Sequence, residues 1–203
     1  YRRYVKGEFA TFAGAVYDEL EASVHYIPRF DVPREWYDYG INGALDHGMT
    51  NPTAVGKFAI SPYDGSIILT KLFYKGNSTV EMNAPNIRKM FGKYETDTLY
   101  LYADPSVFNK NQEATGNELN KANAISIADR YWEHKIRLLP AKNAVVAGID
   151  AVKSYFAMKK ERKHIISGTS PAPTLYIFDD LREVIDELSV YRWNPEVPDT
   201  VMK

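Results

Sequence analysis

Residues 63–74, YDGSIILTKLFY, combine a turn with the most regular apolar strand of the sequence. Gly65 readily supplies the positive φ that a tight turn needs, and the run after it is rich in β-branched and aromatic residues. Residues 53–60, before the turn, have a similar composition. The two runs therefore predict a β-hairpin.

A third strand-like run, residues 39–45, precedes the hairpin and ends at Asp46. The first part of the chain thus predicts a three-stranded antiparallel meander. The later sequence alternates, with strands predicted at 98–103, 136–139 and 174–178 and helices at 80–94, 118–134, 144–163 and 179–191.

This order, β-β-β-α-β-α-β-α-β-α, predicts an α/β protein. Its mixed β-sheet would combine the antiparallel meander with parallel strands and carry helices on its faces. It is the element order of the ribonuclease H-like fold.

The length of 203 residues suits one domain with a sizeable core. We expect residues 1–38 to be an irregular, aromatic lead-in segment packed on that core, and residues 39–203 to form the single folded domain.

No cysteine is present, which excludes disulfides, a thiolate nucleophile and a cysteine-based zinc site. No apolar run has the length of a membrane span. The formal net charge of -1 gives no support to a nucleic-acid partner. It does not exclude one, because an enzyme that holds metal ions with carboxylates must carry acidic residues at its site.

Two acids stand at the ends of predicted strands. Asp46 ends the first strand, and Asp104 follows the fourth. In the ribonuclease H-like topology these strands are neighbours, so the two carboxylates would converge and repel each other unless they bound a cation. Mg²⁺ or Mn²⁺ suits such all-oxygen ligands. Taken singly, each acid is more typical of a turn than of a functional site, since Asp readily bonds its own backbone.

Several stretches resemble the C-terminal nuclease domain of the large terminase subunit of tailed bacteriophages. The likeness covers nearly the whole chain and combines several stretches. They are RRYVKGEFATFAGAVYDEL (2–20), FDVPREWYDYGINGALDHGMTNPTAV (30–55), DGSIILTKLFYKGN (64–77), LYLYADPS (99–106), ADRYWEHKIRLLPAKNAVVAGIDAVKSYF (128–156) and LREVIDELSVYRWN (181–194).

The resemblance implies that Asp46 and Asp104 are the first two catalytic, metal-binding aspartates of an endodeoxyribonuclease. Such an enzyme cuts concatemeric double-stranded DNA with little sequence preference, using Mg²⁺ or Mn²⁺, with two ions expected. Its implied partners are the terminase ATPase domain, the small terminase subunit and the portal protein. Its implied location is the host-cell cytoplasm, at the procapsid, with no membrane partner.

The resemblance also implies a third acidic motif, a His and Asp pair on a late helix after residues 191–203. The sequence ends at Lys203 without it, so we expect the metal site to be incomplete and this chain to be inactive alone. No phosphate loop of the type GxxxxGK[ST] occurs, and no residue is assigned to an organic cofactor.

Other polar residues near strand ends have simpler interpretations. We expect His47 to be a turn residue with an exposed ring. We expect Asp179 and Asp180 to cap the helix that follows them.

Two other functions remain open from the residues. Asp46-His47-Gly48 could be the phosphate motif of an actin-like or sugar-kinase-like ATP-binding lobe, although no Gly-Gly run is present. The chain could instead be a non-catalytic module that docks to DNA or to the portal.

Overall fold

The structure is a computed structural model that describes residues 14–38, 40–48, 51–93, 96–110, 125–197 and 200–201. Its strands are Tyr26–Ile27 (β1), Gly43–Asp46 (β2), Thr53–Ile60 (β3), Ile67–Lys75 (β4), Leu99–Ala103 (β5), Ile136–Pro140 (β6) and Leu175–Phe178 (β7). They form one seven-stranded sheet in the order β1-β7-β4-β3-β2-β5-β6.

Five α-helices accompany the sheet in the described part of the chain: Ala22–His25 (α1), Val80–Phe91 (α2), Ile127–Glu133 (α3), Val145–Phe156 (α4) and Arg182–Val190 (α5). Two 3₁₀ helices cover Arg34–Tyr37 and Pro105–Phe108. From β2 onward the predicted alternation of strands and helices is confirmed. The fold is a mixed α/β sheet of the ribonuclease H-like type, as the sequence predicted.

The predicted boundaries differ most at three elements. Strand β2 begins at Gly43, four residues later than expected. Part of the helix predicted over 118–134 lies outside the described residues, and the described part is Ile127–Glu133. The helix predicted to reach residue 163 ends at Phe156, because Ala157 adopts extended backbone angles and Lys159 forms an isolated bridge with Ala172.

One compact unit comprises residues 40–57 and 71–143. Its core lies between one face of β2, β5 and β6 and the helices α2 and α3, and it includes Leu45, Ile87, Leu101, Tyr131 and Ile136. Residues at both ends of α2 explain where the helix begins and ends. The Thr79 hydroxyl accepts the Met82 N–H at its start, and Gly92 ends it with a φ of 67°.

The other unit comprises residues 1–39, 58–70 and 144–203. In it, β7 pairs in parallel with both β1 and β4. Residues 1–38 were expected to be irregular, yet Ala22–Ile27 form a short helix followed by the edge strand β1. Arg162 stabilises the predicted hairpin turn, since its guanidinium donates to the Asp64 carbonyl at 2.8 Å and to Ser66 Oγ at 2.7 Å.

Among the described residues, no helix combines the length and the apolar character that a membrane span requires.

Gly43 allows β2 to pack closely against α2. A Cβ atom at this position would lie 2.4 Å from Leu101 Cδ2 and 2.6 Å from Phe91 Cζ, and both side chains are buried. We predict that Gly43→Ala lowers the free energy of unfolding by about 1–3 kcal/mol through overpacking, measured by urea denaturation.

Gly148→Ala is the matched control, because this helical glycine has no atom within 4 Å of an added Cβ. It should leave stability unchanged or raise it by roughly 0.5–1 kcal/mol. Equal stability of Gly43→Ala and the unmodified protein would contradict the packing described.

Candidate metal centre

The two candidate acids lie on neighbouring parallel strands. Strands β2 and β5 pair in parallel, with Ala44 opposite Tyr102 and Leu45 opposite Ala103. Asp46 is the last residue of β2, and Asp104 directly follows β5. The register therefore places Asp46 beside Asp104 at the carboxyl ends of adjacent strands.

The alternation of burial shows which face carries the acids. Leu45 and Ala103 are buried in the core below α2 and α3, whereas Ala44 and Tyr102 are exposed. Because successive residues of a strand point to opposite faces, Asp46 and Asp104 both follow on the exposed face. The structure thus brings the two predicted site residues together on one side of the sheet.

Asp104 also performs the turn chemistry that the sequence left open. Its Oδ1 accepts the Ser106 N–H at 2.8 Å, which caps the 3₁₀ helix Pro105–Phe108. The hydrogen bonds from Ser106 hold the pKa of the Asp104 carboxyl below its usual value. Asp104 is therefore ionised at neutral pH, as a metal ligand must be.

The turn after Asp46 is tightly constrained. A Cβ atom at Gly48 would lie 2.2 Å from the Asn51 carbonyl oxygen, so no larger residue fits this backbone. Thr53, at the start of β3, donates from Oγ1 to the Gly48 carbonyl at 2.9 Å. These contacts fix the chain immediately after the candidate acid.

His47 was expected to have an exposed ring, and this prediction was wrong. Its ring is half-buried and packs edge-on against Tyr131, with centroids 5.8 Å apart. His47 Nδ1 lies 3.3 Å from the Tyr131 hydroxyl. Burial and the charge of Arg130 lower the pKa of His47, against an opposing effect of Asp46.

Tyr131 is the residue that sequence reasoning missed at this site. In the segment around α3, the apolar residues Ile125 and Trp132 are 54% and 46% exposed. The buried side of α3 instead carries Ile127, Ala128 and Tyr131, which also follow helical spacing. This spacing is the sequence signal from which the burial of Tyr131 could have been predicted.

Polar side chains surround the buried Tyr131 hydroxyl. Burial raises the pKa of Tyr131 to about 12, and Thr53 and Asn83 lie beside its hydroxyl group. Asn83 is fully buried, and its amide atoms have no well-oriented hydrogen-bond partner among the described residues. A polar cluster, comprising His47, Thr53, Asn83 and Tyr131, therefore lies under the turn that follows Asp46.

The donor set of the exposed face fits a hard divalent cation. Neither Asp46 nor Asp104 forms an ion pair within the part of the chain that the structure describes. In the same residues, no group of three or more His, Asp or Glu side chains could hold a metal. Two adjacent carboxylates nevertheless suit Mg²⁺ or Mn²⁺, because Mg²⁺ keeps several waters and needs only one or two carboxylates.

Asp179 and Asp180 were expected to cap α5, and this prediction was wrong. The residue before this helix is Leu181, which offers no side-chain cap. Asp180 instead forms a two-point ion pair with Arg29, at 2.6 Å and 2.8 Å.

Comparison with solved structures agrees with the ribonuclease H-like sheet described above. The chain has the fold of the nuclease domains of large terminases. A large terminase from a thermophilic bacteriophage, in complex with ATP-gamma-S, matches with a TM-score of 0.65 and 19% identity. That match covers 100% of this chain and 47% of the phage protein.

Two isolated nuclease domains also match. The P22 large terminase nuclease domain has a TM-score of 0.63 and 13% identity, over 96% of this chain and 86% of that one. The large terminase nuclease from thermophilic phage G20c has a TM-score of 0.51 and 13% identity, over 88% and 82%.

The chain spans about half the length of the ATP-gamma-S-bound terminase that it matches. No protein-family model matches the sequence. No curated protein matches it either.

The Tyr131 hydroxyl should stabilise the turn after Asp46. We predict that Tyr131→Phe, which keeps the ring, lowers the free energy of unfolding by about 0.5–1.5 kcal/mol because one hydrogen bond is lost. Denaturation in urea measures the change. Tyr100→Phe is the control, since the side chain of Tyr100 is 46% exposed. Equal stabilities of the two variants would show that the Tyr131 hydroxyl makes no stabilising contact.

Proposed function

We propose that this chain is the metal-dependent endonuclease domain of a viral DNA-packaging motor. It would hydrolyse phosphodiester bonds of double-stranded, concatemeric DNA with little sequence preference. The observation that carries the proposal is the register of β2 and β5, which sets Asp46 beside Asp104 on one exposed face. The shared fold with large terminase nucleases supports it.

Asp46 and Asp104 would hold the metal. Their adjacent negative charges repel each other, and a divalent cation relieves that repulsion. When bound, Mg²⁺ or Mn²⁺ supplies Lewis-acid chemistry for phosphodiester hydrolysis, and two ions would serve the attacking and leaving oxygens.

The surrounding residues would keep the two ligands in place. The Ser106 N–H orients one oxygen of Asp104 and favours its ionised form. The bond from Thr53 to the Gly48 carbonyl fixes the backbone just beyond Asp46. Pre-organised ligands of this kind reduce the cost of assembling the site when metal and substrate arrive.

The whole motor supplies the remaining partners in this proposal. The resemblance of the sequence to large terminases implies an ATPase domain, a small terminase subunit and a portal protein as partners of the nuclease. The working location would be the host-cell cytoplasm, at the procapsid. The resemblance implies that a further acidic motif would complete the site.

Asp46→Asn and Asp104→Asn should each abolish plasmid nicking and weaken binding of Mn²⁺, because each removes a charged metal ligand. Nicking should be measured on a chain extended beyond Lys203, because this chain is expected to be inactive alone, and calorimetric Mn²⁺ titration should be measured on both. Asp150→Asn is the matched control, since Asp150 is exposed on α4 and lies on another element.

Each outcome distinguishes between functions. Loss of nicking and of Mn²⁺ binding only in the Asp46 and Asp104 variants supports the nuclease. Full nicking by Asp46→Asn would refute the assignment. DNA binding without cleavage by the extended chain would favour a non-catalytic docking module.

A further inference from the structure

A basic cavity lies at the end of α2, within the unit that also contains the candidate metal centre. Its volume is about 710 Å³. Its charged lining comes from the last turn of α2, the residues after it and the turn before β6, namely Arg88, Lys89, Lys93, Glu133, His134 and Lys135. We call it the α2 basic pocket.

The charges of the pocket are unbalanced. Among the described residues that line the pocket, three lysines face a single acid, Glu133, in a protein whose net charge is -1. Lys89, Lys93 and Lys135 are exposed, and they form no ion pair with another described residue. A concentration of one sign of charge in a concave site attracts counter-ions strongly.

Further cations extend this charge beyond the cavity. Lys57, on β3, lies with Nζ 5.4 Å from the centre of the Phe91 ring. Burial, and then the charges of Lys71 and Lys93, lower the pKa of Lys57. Lys71 and Lys93 therefore lie close enough to Lys57 for their charges to act on it.

The backbone that carries these cations is held rigidly. The Arg88 guanidinium donates to the carbonyls of His134 and Lys135, at 3.2 Å and 3.1 Å, and so ties α2 to the turn before β6. The Lys93 N–H bonds the Arg88 carbonyl at 3.1 Å after the left-handed Gly92. The backbone from which the pocket's lysine side chains project is therefore fixed.

Cations at the end of a helix also complement its dipole, and that effect alone would explain Lys89 and Lys93. It does not explain Lys57, Lys71 and Lys135, which come from β3, β4 and the turn before β6. The convergence of four elements on one basic surface points to an anionic ligand.

We propose that the α2 basic pocket binds backbone phosphates of duplex DNA at a place separate from the cleavage site. This inference rests on the proposed function, which makes DNA the polyanion of the system. Duplex DNA carries roughly one negative charge per 1.7 Å of its axis, so it matches a surface on which several lysines are concentrated.

The α2 basic pocket and the two acids lie at opposite ends of β5. The Leu99 N–H, at the start of β5, bonds the Lys135 carbonyl at the pocket, at 2.9 Å, whereas Asp104 follows the other end. Five residues of strand span about 16 Å. The acids also lie on the face of the sheet opposite α2. The pocket would thus retain DNA without touching the phosphodiester that is cut.

The test is binding of a fluorescent duplex of about 40 base pairs, without divalent cations, over a range of salt concentrations. The double variant Lys89→Ala/Lys93→Ala should bind roughly tenfold more weakly at low salt, and its salt slope should fall by about 2 because two phosphate contacts are lost. Lys89→Arg/Lys93→Arg keeps the charges and should retain both values.

Lys160→Ala/Lys163→Ala removes two charges elsewhere and is the matched control. An equal loss of binding in the control, or no loss in the pocket variant, would overturn the proposal. Displacement of the duplex by millimolar inorganic phosphate would also overturn it, since the pocket would then be a small-anion site.

The readout is independent of catalysis. Cleavage that survives Asp46→Asn refutes the assignment of Asp46 to the metal centre and leaves the binding result standing. Cleavage that requires Asp46, with unchanged binding by the pocket variant, refutes the pocket and leaves the nuclease standing.

Discussion

The parallel pairing of β2 with β5 is the constraint on which the rest of the site depends. A slip of one residue would move Asp46 to the opposite face and bury it in the core. The register is held because Leu45 and Ala103 belong to the same apolar core. Gly43 contributes as well, since its missing Cβ leaves room for Leu101 and Phe91. Packing on one face therefore positions the acids on the other.

Much of this arrangement could be predicted from the sequence. The turn at Gly65 and the apolar strand after it defined the hairpin, and the later alternation defined the order of the remaining strands and helices. Because topology makes β2 and β5 neighbours, the proximity of Asp46 and Asp104 could also be inferred before the structure. Local periodicity and strand order were sufficient for these features.

The remaining features depend on tertiary contacts that no local pattern shows. His47 is half-buried because Tyr131, 84 residues away, packs against it. Asp180 binds Arg29, which lies 151 residues earlier, in place of capping α5. The α2 basic pocket assembles residues from distant parts of the chain, so a formal net charge of -1 concealed it. The net charge is a sum over the whole chain, so it does not show where the fold concentrates charges of one sign.

The central claim is that Asp46 and Asp104 jointly bind one divalent cation. A crystal structure of the protein soaked in Mn²⁺, with anomalous scattering recorded, tests it most directly. We expect an anomalous peak about 2 Å from a carboxylate oxygen of each residue, with waters completing the coordination. A peak at only one of the two carboxylates, or no peak between them at millimolar Mn²⁺, would contradict it.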